Sequence, residues 1–437
     1  MKISLINTIR AIATDRYLTA ITIIGIVFYT LLTIFIIYTN RPTDYYIDVI
    51  AAKILGMNIN VYEMEAHDYI ILSQEIADKL GIQIKILPYY LYLYPTLTAL
   101  LIYPMSFMSV ATSASLWIFF SGMASIFSGI ILCTYTTDVI KQRIIMIFML
   151  CFFPIWTSMS LGQVNVFILF TTVWFLYWLR LERNIAAGII LAFSIFMKPF
   201  ALGLLPLLFW RKKFAALSGF LIGTALITFG SIAVFGLPTT ISQFTNTAKM
   251  ATPSGLSQYL TIQNLNALFG RLTSEASPIG LTLYILSGGV IGGLTLATIL
   301  LRPDRDDFER EAALFIAATH LAAPLTWYHH LTMFSLVFGC IVLSCQDSNW
   351  IMNFKKRSNM GKLDNITSYL SDITHHKYFR IAAFLLTGLL LTNLHALFWK
   401  QLSNMNLLLS SFPVLTALMM WGILLMQVRN EWNFSEK

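Results

Sequence analysis

The chain has 437 residues, 57% of them apolar and 11% charged, with a mean hydropathy of +0.71; soluble domains carry about 25% charged residues, so it reads as an integral membrane protein. The apolar runs are long and lack strand-like alternation, which excludes a barrel and leaves helices to satisfy the backbone in lipid. Its net charge of +8 is that of Lys and Arg flanking membrane spans on the cytoplasmic side, not a nucleic-acid footprint.

At roughly 20 apolar residues per crossing, the expected fold is an all-α polytopic membrane protein with about 10–12 transmembrane helices. It forms a single domain over residues 1–437. Cys133, Cys151, Cys340 and Cys345 lie in or beside apolar runs with no metal-ligand spacing, so they read as small core residues.

Residues 1–17 carry Lys2, Arg10 and Arg16 ahead of an apolar run from Leu18 to Tyr38, which is too long for a signal-peptide core and lacks a cleavage site. It is expected to be a retained first span with the N-terminus cytoplasmic. Residues 40–94 then form a first external loop with seven acidic residues against four Lys and Arg. Within it, Tyr46 to Leu55 and Asp68 to Leu80 read as short helices closed by Gly56 and Gly81, lying along the membrane surface. Tyr89, Tyr90, Tyr92 and Tyr94 mark re-entry as an interfacial aromatic belt.

Four apolar runs follow at about 95–110, 113–135, 144–160 and 163–179, where the flanking charges demand an odd number of crossings. Ile144–Ser160, with Pro154 inside it, is the run expected to be re-entrant or incomplete. Residues 185–209 are apolar except for Lys198, which precedes Pro199, and read as two short helices or one kinked crossing. A helix near 214–236 leads to a second external loop at 237–278, and a span at 279–301 returns. The apolar stretch from Ala312 to Ser344 splits at Pro324–His330, and spans near 381–399 and 409–427 finish the chain.

Read this way, four polar clusters share one membrane face: Asp44 with Asp48, Gln163 with Asn165, Gln263 with Asn266 and Arg271, and His329 with His330. Asp44 and Asp48 stand four apart and share a face if the loop starts helically. They read either as a helix cap with a solvated neighbour or as a general base within reach of a hydroxyl. Leu161-Gly162-Gln163-Val164-Asn165 is either a turn with its cap or a pair of amides offering donors and acceptors to hydroxyls. Lys198 is the one charge between Arg183 and Arg211; it either snorkels to an interface or binds a lipid phosphate. His329 and His330 beside Trp327 read as belt residues or as contacts to a phosphate or hydroxyl, and no third residue has the spacing of a metal ligand. His320 and His395 lie inside apolar runs and are expected to be hydrogen-bonded packing residues.

These blocks resemble the GT-C membrane glycosyltransferases of glycosyltransferase family 87, the group that includes polyprenol-phosphate-mannose-dependent mannosyltransferases. Asp44-Tyr45-Tyr46 with Ala51-Ala52, Gly56 and Tyr62 is similar to the family's first-loop pattern. Leu161–Asn165 is similar to its Gly-Gln-x-Asn element, Lys198-Pro199 to its Lys-Pro element and Trp327–His330 to its Trp-x-His-His element. Gln263–Leu268 with Arg271 matches more loosely, because Asn264 stands where the family often has Ser.

The resemblance implies a helical membrane fold with surface helices in the first external loop. It also implies a metal-independent, inverting transfer of a hexose such as mannose from a polyprenyl-phosphate donor to a lipid or glycan acceptor. Asp44 falls at the catalytic carboxylate, and His330 or His329 at a histidine touching donor or acceptor. Asp48, Gln163, Asn165, Lys198, Gln263, Asn266 and Arg271 complete the expected binding set. No cofactor, metal or nucleic acid is called for; the partners are donor, acceptor and the bilayer of the cell membrane, with the site on the external face. The alternative is a flippase of lipid-linked sugars, using the same groups without chemistry; the absence of a visible internal repeat weighs against it.

Overall fold

The computed structural model describes residues 5–39, 42–83, 92, 94–249, 262–273, 277–301, 307–344 and 411–433. Every regular element among them is helical, and the only bridge between extended segments joins Ile262 to Trp327. The chain is a polytopic all-α membrane protein. A short helix α1 (Leu5–Thr14) precedes α2 (Arg16–Tyr38), whose start is capped by Asp15 accepting from the N–H groups of Tyr17 and Leu18. After the first loop come α6 (Val110–Cys133), α12 (Phe214–Phe235), α15 (Pro278–Leu300) and α18 (Phe412–Asn433). With α2, these are the five described helices long and apolar enough to cross a bilayer.

Their burial sorts them into layers: the apolar window of α6 is 72% buried, whereas those of α2, α12 and α15 are only 17–22% buried. α6 is therefore the centre, and the others turn side chains such as Ile24, Leu31, Phe229 and Ile285 outward, as lipid-facing helices do. In lipid, apolar burial does not by itself drive helices together, so close packing and polar contacts carry the association. Tyr29 on α2 donates to the Met149 carbonyl at 2.9 Å, and Trp421 on α18 donates to Thr295 on α15 at 3.0 Å. α10 (Asn184–Met197) lies against α12 so closely that a Cβ on Gly188 or Gly219 would overlap the opposing backbone.

Broken helices surround this frame. The suspected segment is α7 (Val139–Cys151) followed by α8 (Phe153–Leu161), bent by 41° at a break beside Pro154. As one broken span it would be a sixth crossing. α10 stops at Lys198, whose extended backbone (φ −158°, ψ 139°) leads into a 3-10 turn Pro199–Ala201 and α11 (Leu204–Trp210). The 95–110 run forms only α5 (Thr96–Ile102) and a 3-10 turn Tyr103–Phe107, too short for a full crossing. The region expected at 381–399 lies outside the described residues, as does His395.

In the first loop, α3 (Thr43–Gly56) begins three residues before the expected start, and α4 (Ala66–Lys79) falls close to expectation. α4 has the one-sided burial of a surface helix (Tyr69, Ser73, Ile76, Ala77), whereas α3 is buried on nearly all sides. Asn60 donates to Ser242 on α13 (Leu237–Lys249) at 2.7 Å, and Ser242 donates to Glu63 at 2.7 Å, tying this loop to the second one. α14 (Leu265–Thr273), α16 (Phe308–Ala322), a 3-10 turn Tyr328–Met333 and α17 (Phe334–Ser344) bring the remaining polar cluster to the same end.

Candidate active site

Asp44 lies in the first turn of α3, with Pro42 rather than Asp44 at the capping position, so its carboxylate is not spent on the helix end. Instead it accepts from the Gln163 side-chain amide across 119 residues of chain, and its other oxygen accepts from Thr43 Oγ1 at 3.3 Å. A carboxylate in the first turn also gains from the helix dipole.

Gln163 reaches Asp44 because α8 ends at Gly162, whose φ of +73° is a left-handed conformation that glycine adopts without cost. A Cβ there would sit 2.5 Å from Tyr45 Cβ, so the absence of a side chain lets α3 press against the turn. The Gly162 carbonyl accepts from Trp117 Nε1 at 2.8 Å, which fixes the turn to α6.

Gln163 Oε1 accepts from two donors, Lys198 Nζ at 2.9 Å and Tyr94 OH at 2.6 Å. Lys198 also donates to Asn165 Oδ1 at 3.3 Å and lies 3.1 Å from His330 Nε2. Its ammonium stands 4.8 Å from the Tyr94 ring centroid, within cation–π range. His330 is held from behind, where Nδ1 accepts the Trp327 backbone N–H at 3.2 Å, and Phe200 packs against its ring at 4.7 Å. Asn165, at the start of α9 (Asn165–Arg180), is fully buried and donates to Ser158 at 3.4 Å.

Four blocks separated by up to 286 residues thus converge on one chain of contacts: Asp44, Gln163, Lys198 and His330. Gln163 and His330 are buried at 5% exposure, while Asp44 and Lys198 keep partial access. Burial pushes the Asp44 carboxyl above its ordinary range, opposed by the Gln163 hydrogen bond and the Lys198 charge.

Asp48, one turn further on, is 1% exposed and its Oδ1 has no hydrogen-bond partner among the described residues. Burial and then the Asp44 charge hold it well above the carboxylate range. His329 stacks parallel to Trp327 at 6.3 Å and edge-on to His330 at 4.6 Å.

The second-loop residues form a neighbouring strap. The Gln263 N–H donates to the Thr326 carbonyl at 2.7 Å, and Gln263 Oε1 accepts from the Val414 N–H at 3.3 Å. Asn264 caps α14 by accepting the Ala267 N–H at 2.8 Å, and Asn266 donates to the Pro324 carbonyl at 3.3 Å. Arg271 donates to the Ile262 carbonyl at 2.9 Å and to Ser411 at 3.2 Å, leaving Nη2 without a partner among the described residues. The strap braces the turn that carries His330, and its side chains bond to backbone and Ser411 rather than to Asp44.

His320 is a packing residue, as expected: its Nδ1 lies 2.9 Å from the Ile316 carbonyl within α16. No group of three or more His, Cys, Asp or Glu able to hold a metal ion occurs among the described residues. The residue that sequence reasoning missed is Tyr94, read there only as belt. Its partner is 69 positions away, and no spacing rule connects them.

A multi-pass helical membrane protein with a partly accessible carboxylate set against amides, an ammonium and an imidazole has the equipment of a group-transfer enzyme. The family model of glycosyltransferase family 87 matches residues 92–327, just over half of the chain. The chain belongs to that family, and it is a glycosyltransferase. The matched span includes Tyr94, Gln163, Asn165, Lys198, Gln263, Asn266 and Arg271; Asp44 and His330 lie on either side of it. Neither a curated protein nor a solved structure matches the chain.

Proposed function

We propose that the protein transfers a hexose, such as mannose, with inversion from a polyprenyl-phosphate donor to a lipid or glycan acceptor at the external face of the cell membrane, with the N-terminus cytoplasmic. The observation that carries this reading is the Asp44–Gln163–Lys198–His330 network, in which one Asp44 oxygen accepts only the long Thr43 hydroxyl bond among the described residues.

Asp44 takes the proton of an acceptor hydroxyl as that oxygen bonds to the anomeric carbon from the face opposite the phosphate. The bond from the anomeric carbon to the phosphate oxygen breaks, and the polyprenyl phosphate leaves with the electron pair. The phosphate is a good leaving group, so no strong acid has to protonate it. Lys198, His330 and Arg271, whose Nη2 has no partner among the described residues, supply positive charge and donors for it. Base catalysis of this kind contributes about 10²–10⁴-fold, or about 3–5 kcal/mol, and positioning supplies the rest. A carboxyl raised by burial is a stronger base, so turnover is expected to fall on the acid side as Asp44 protonates.

The test uses purified protein in proteoliposomes with radiolabelled polyprenyl-phosphate mannose and a membrane-lipid extract. Wild type should move label to a new product, and Asp44→Asn should bind donor while turning over at least about 10²-fold more slowly. Equal turnover by both removes Asp44 from its role. Label that crosses the bilayer without transfer overturns the enzymatic step altogether.

A further inference from the structure

We infer that Tyr94 is a positioning residue that holds and polarises the Gln163 amide and thereby tunes the basicity of Asp44, an inference that rests on Asp44 being the base. The two ends of a glutamine amide are nearly isosteric, so their order must come from the hydrogen-bond network. Here the oxygen end is defined by the Lys198 ammonium, which donates to Oε1 at 2.9 Å, and the Tyr94 hydroxyl adds a second donor to the same oxygen at 2.6 Å. An ammonium can only donate and an ionised carboxylate can only accept, whereas a phenol can do either. The NH₂ end is therefore the one turned to Asp44 Oδ2, and a flipped amide would set carbonyl against carboxylate and NH₂ against ammonium.

Tyr94 is itself clamped. Its carbonyl accepts from Tyr62 OH at 2.7 Å, and its ring stands edge-on to Tyr92 at 5.9 Å. Tyr92 in turn lies 6.0 Å from Tyr62, so the three rings form one packed group behind Gln163. Pro95 and α5 follow immediately, and Thr96 at the start of α5 is bonded to Gln243 on α13 at 2.8 and 3.0 Å. The phenol is thus presented from a fixed backbone.

Two donors on one carbonyl polarise the amide, which makes its N–H a better donor to Asp44. The Tyr94 hydroxyl therefore acts on Asp44 through Gln163, and its loss should appear in the pH profile as well as the rate. The cation–π contact with Lys198 belongs to the ring and survives removal of the hydroxyl.

The experiment measures sugar transfer against pH for wild type, Tyr94→Phe, Gln163→Ala and the double variant, with donor KM at each pH. Tyr94→Phe should move the acid limb up by about half a pH unit and lower kcat on that limb roughly threefold, with donor KM within about twofold. In the Gln163→Ala background the same change should do nothing further. Tyr94→3-fluorotyrosine, which keeps the fold and strengthens the donor, should shift the limb the other way. A limb unmoved by either Tyr94 substitution, or a shift that persists without Gln163, overturns the inference while leaving Asp44 as base. Equal transfer by Asp44→Asn overturns both.

Discussion

Gly162→Ala isolates the link between the turn and Asp44, the proposed base. The φ of +73° costs a residue with a Cβ about 1–2 kcal/mol. The new methyl would stand 2.5 Å from Tyr45 Cβ, 3.3 Å from Tyr45 N and 3.4 Å from Pro42 Cβ. None of these can swing away, because all belong to the backbone or its first side-chain atom, so α3 itself must retreat by roughly 1 Å to restore contact distance. Such overpacking adds about 1–3 kcal/mol, for a total of about 2–5 kcal/mol. The retreat carries Asp44, the residue next to Tyr45, away from Gln163, and misplacement on that scale costs about 10²-fold in rate. Gly81→Ala is the control: its φ is +69° but nothing lies within 4 Å of the new methyl, and it ends α4 rather than the active-site turn. Thermal midpoints in detergent and initial transfer rates should separate the two. Both variants lose stability, Gly162→Ala more, and only Gly162→Ala loses turnover. Unchanged turnover in Gly162→Ala would refute the idea that this contact sets the Asp44–Gln163 geometry.

Asp48→Asn should keep the fold and become more stable relative to wild type as pH rises. The folded protein holds this carboxyl well above its ordinary value, so wild type has its full stability below the unfolded value and loses it as pH climbs towards the raised one. Each unit of that shift is about 1.4 kcal/mol, and a pH-independent difference in thermal midpoint would contradict the assignment. Arg211 donates through Nε to Glu311 at 2.8 Å, and the pair is 7% and 1% exposed. Arg211→Met should cost about 3–5 kcal/mol by stranding Glu311, whereas Arg211→Met with Glu311→Leu should recover most of it. Thermal melts of the single and double variants decide the matter, and a double variant no better than the single one would argue for a role beyond pairing.

Much of the architecture was written in local signals. Pro154 broke an apolar run where α7 meets α8, Lys198-Pro199 ended α10, and Gly81 follows the end of α4 as expected, with a left-handed φ that Gly162 shares. The start of α3 was legible only within three residues, because no side-chain cap marks it and Pro42 serves there instead. That small difference mattered: it moved Asp44 from a helix cap into the first turn, where its carboxylate is free for other partners. The polar blocks themselves were visible, since amides and charges stand out in an apolar chain. Their sharing of one face was read as well, but not which of them touch. Nothing in the spacing distinguishes Gln163, which touches Asp44 and Lys198, from Gln263, which bonds along a backbone strap. Tyr94 was hidden for the same reason, because one tyrosine among four at a membrane boundary has no mark of its own.

The placement of Gln163 between Asp44 and Lys198 has a chemical logic that a direct ion pair would lack. An ammonium bonded to the carboxylate would hold it ionised but would also occupy the oxygen that must receive a proton, and would weaken it as a base. Among the described residues no ion pair joins Asp44 to Lys198; the amide passes the influence on, donating to one and accepting from the other. Beyond Gln163, Lys198 donates to the neutral Asn165 amide and stands 3.1 Å from His330 Nε2, and neither group is an anion that cancels its charge. An uncancelled ammonium at partial exposure is suited to an anion that arrives and departs with each turnover, whereas a paired one would have to be broken open first. The same spacer therefore keeps the carboxylate and the ammonium from neutralising each other, which is what the proposed proton removal at one end and phosphate departure at the other would both require.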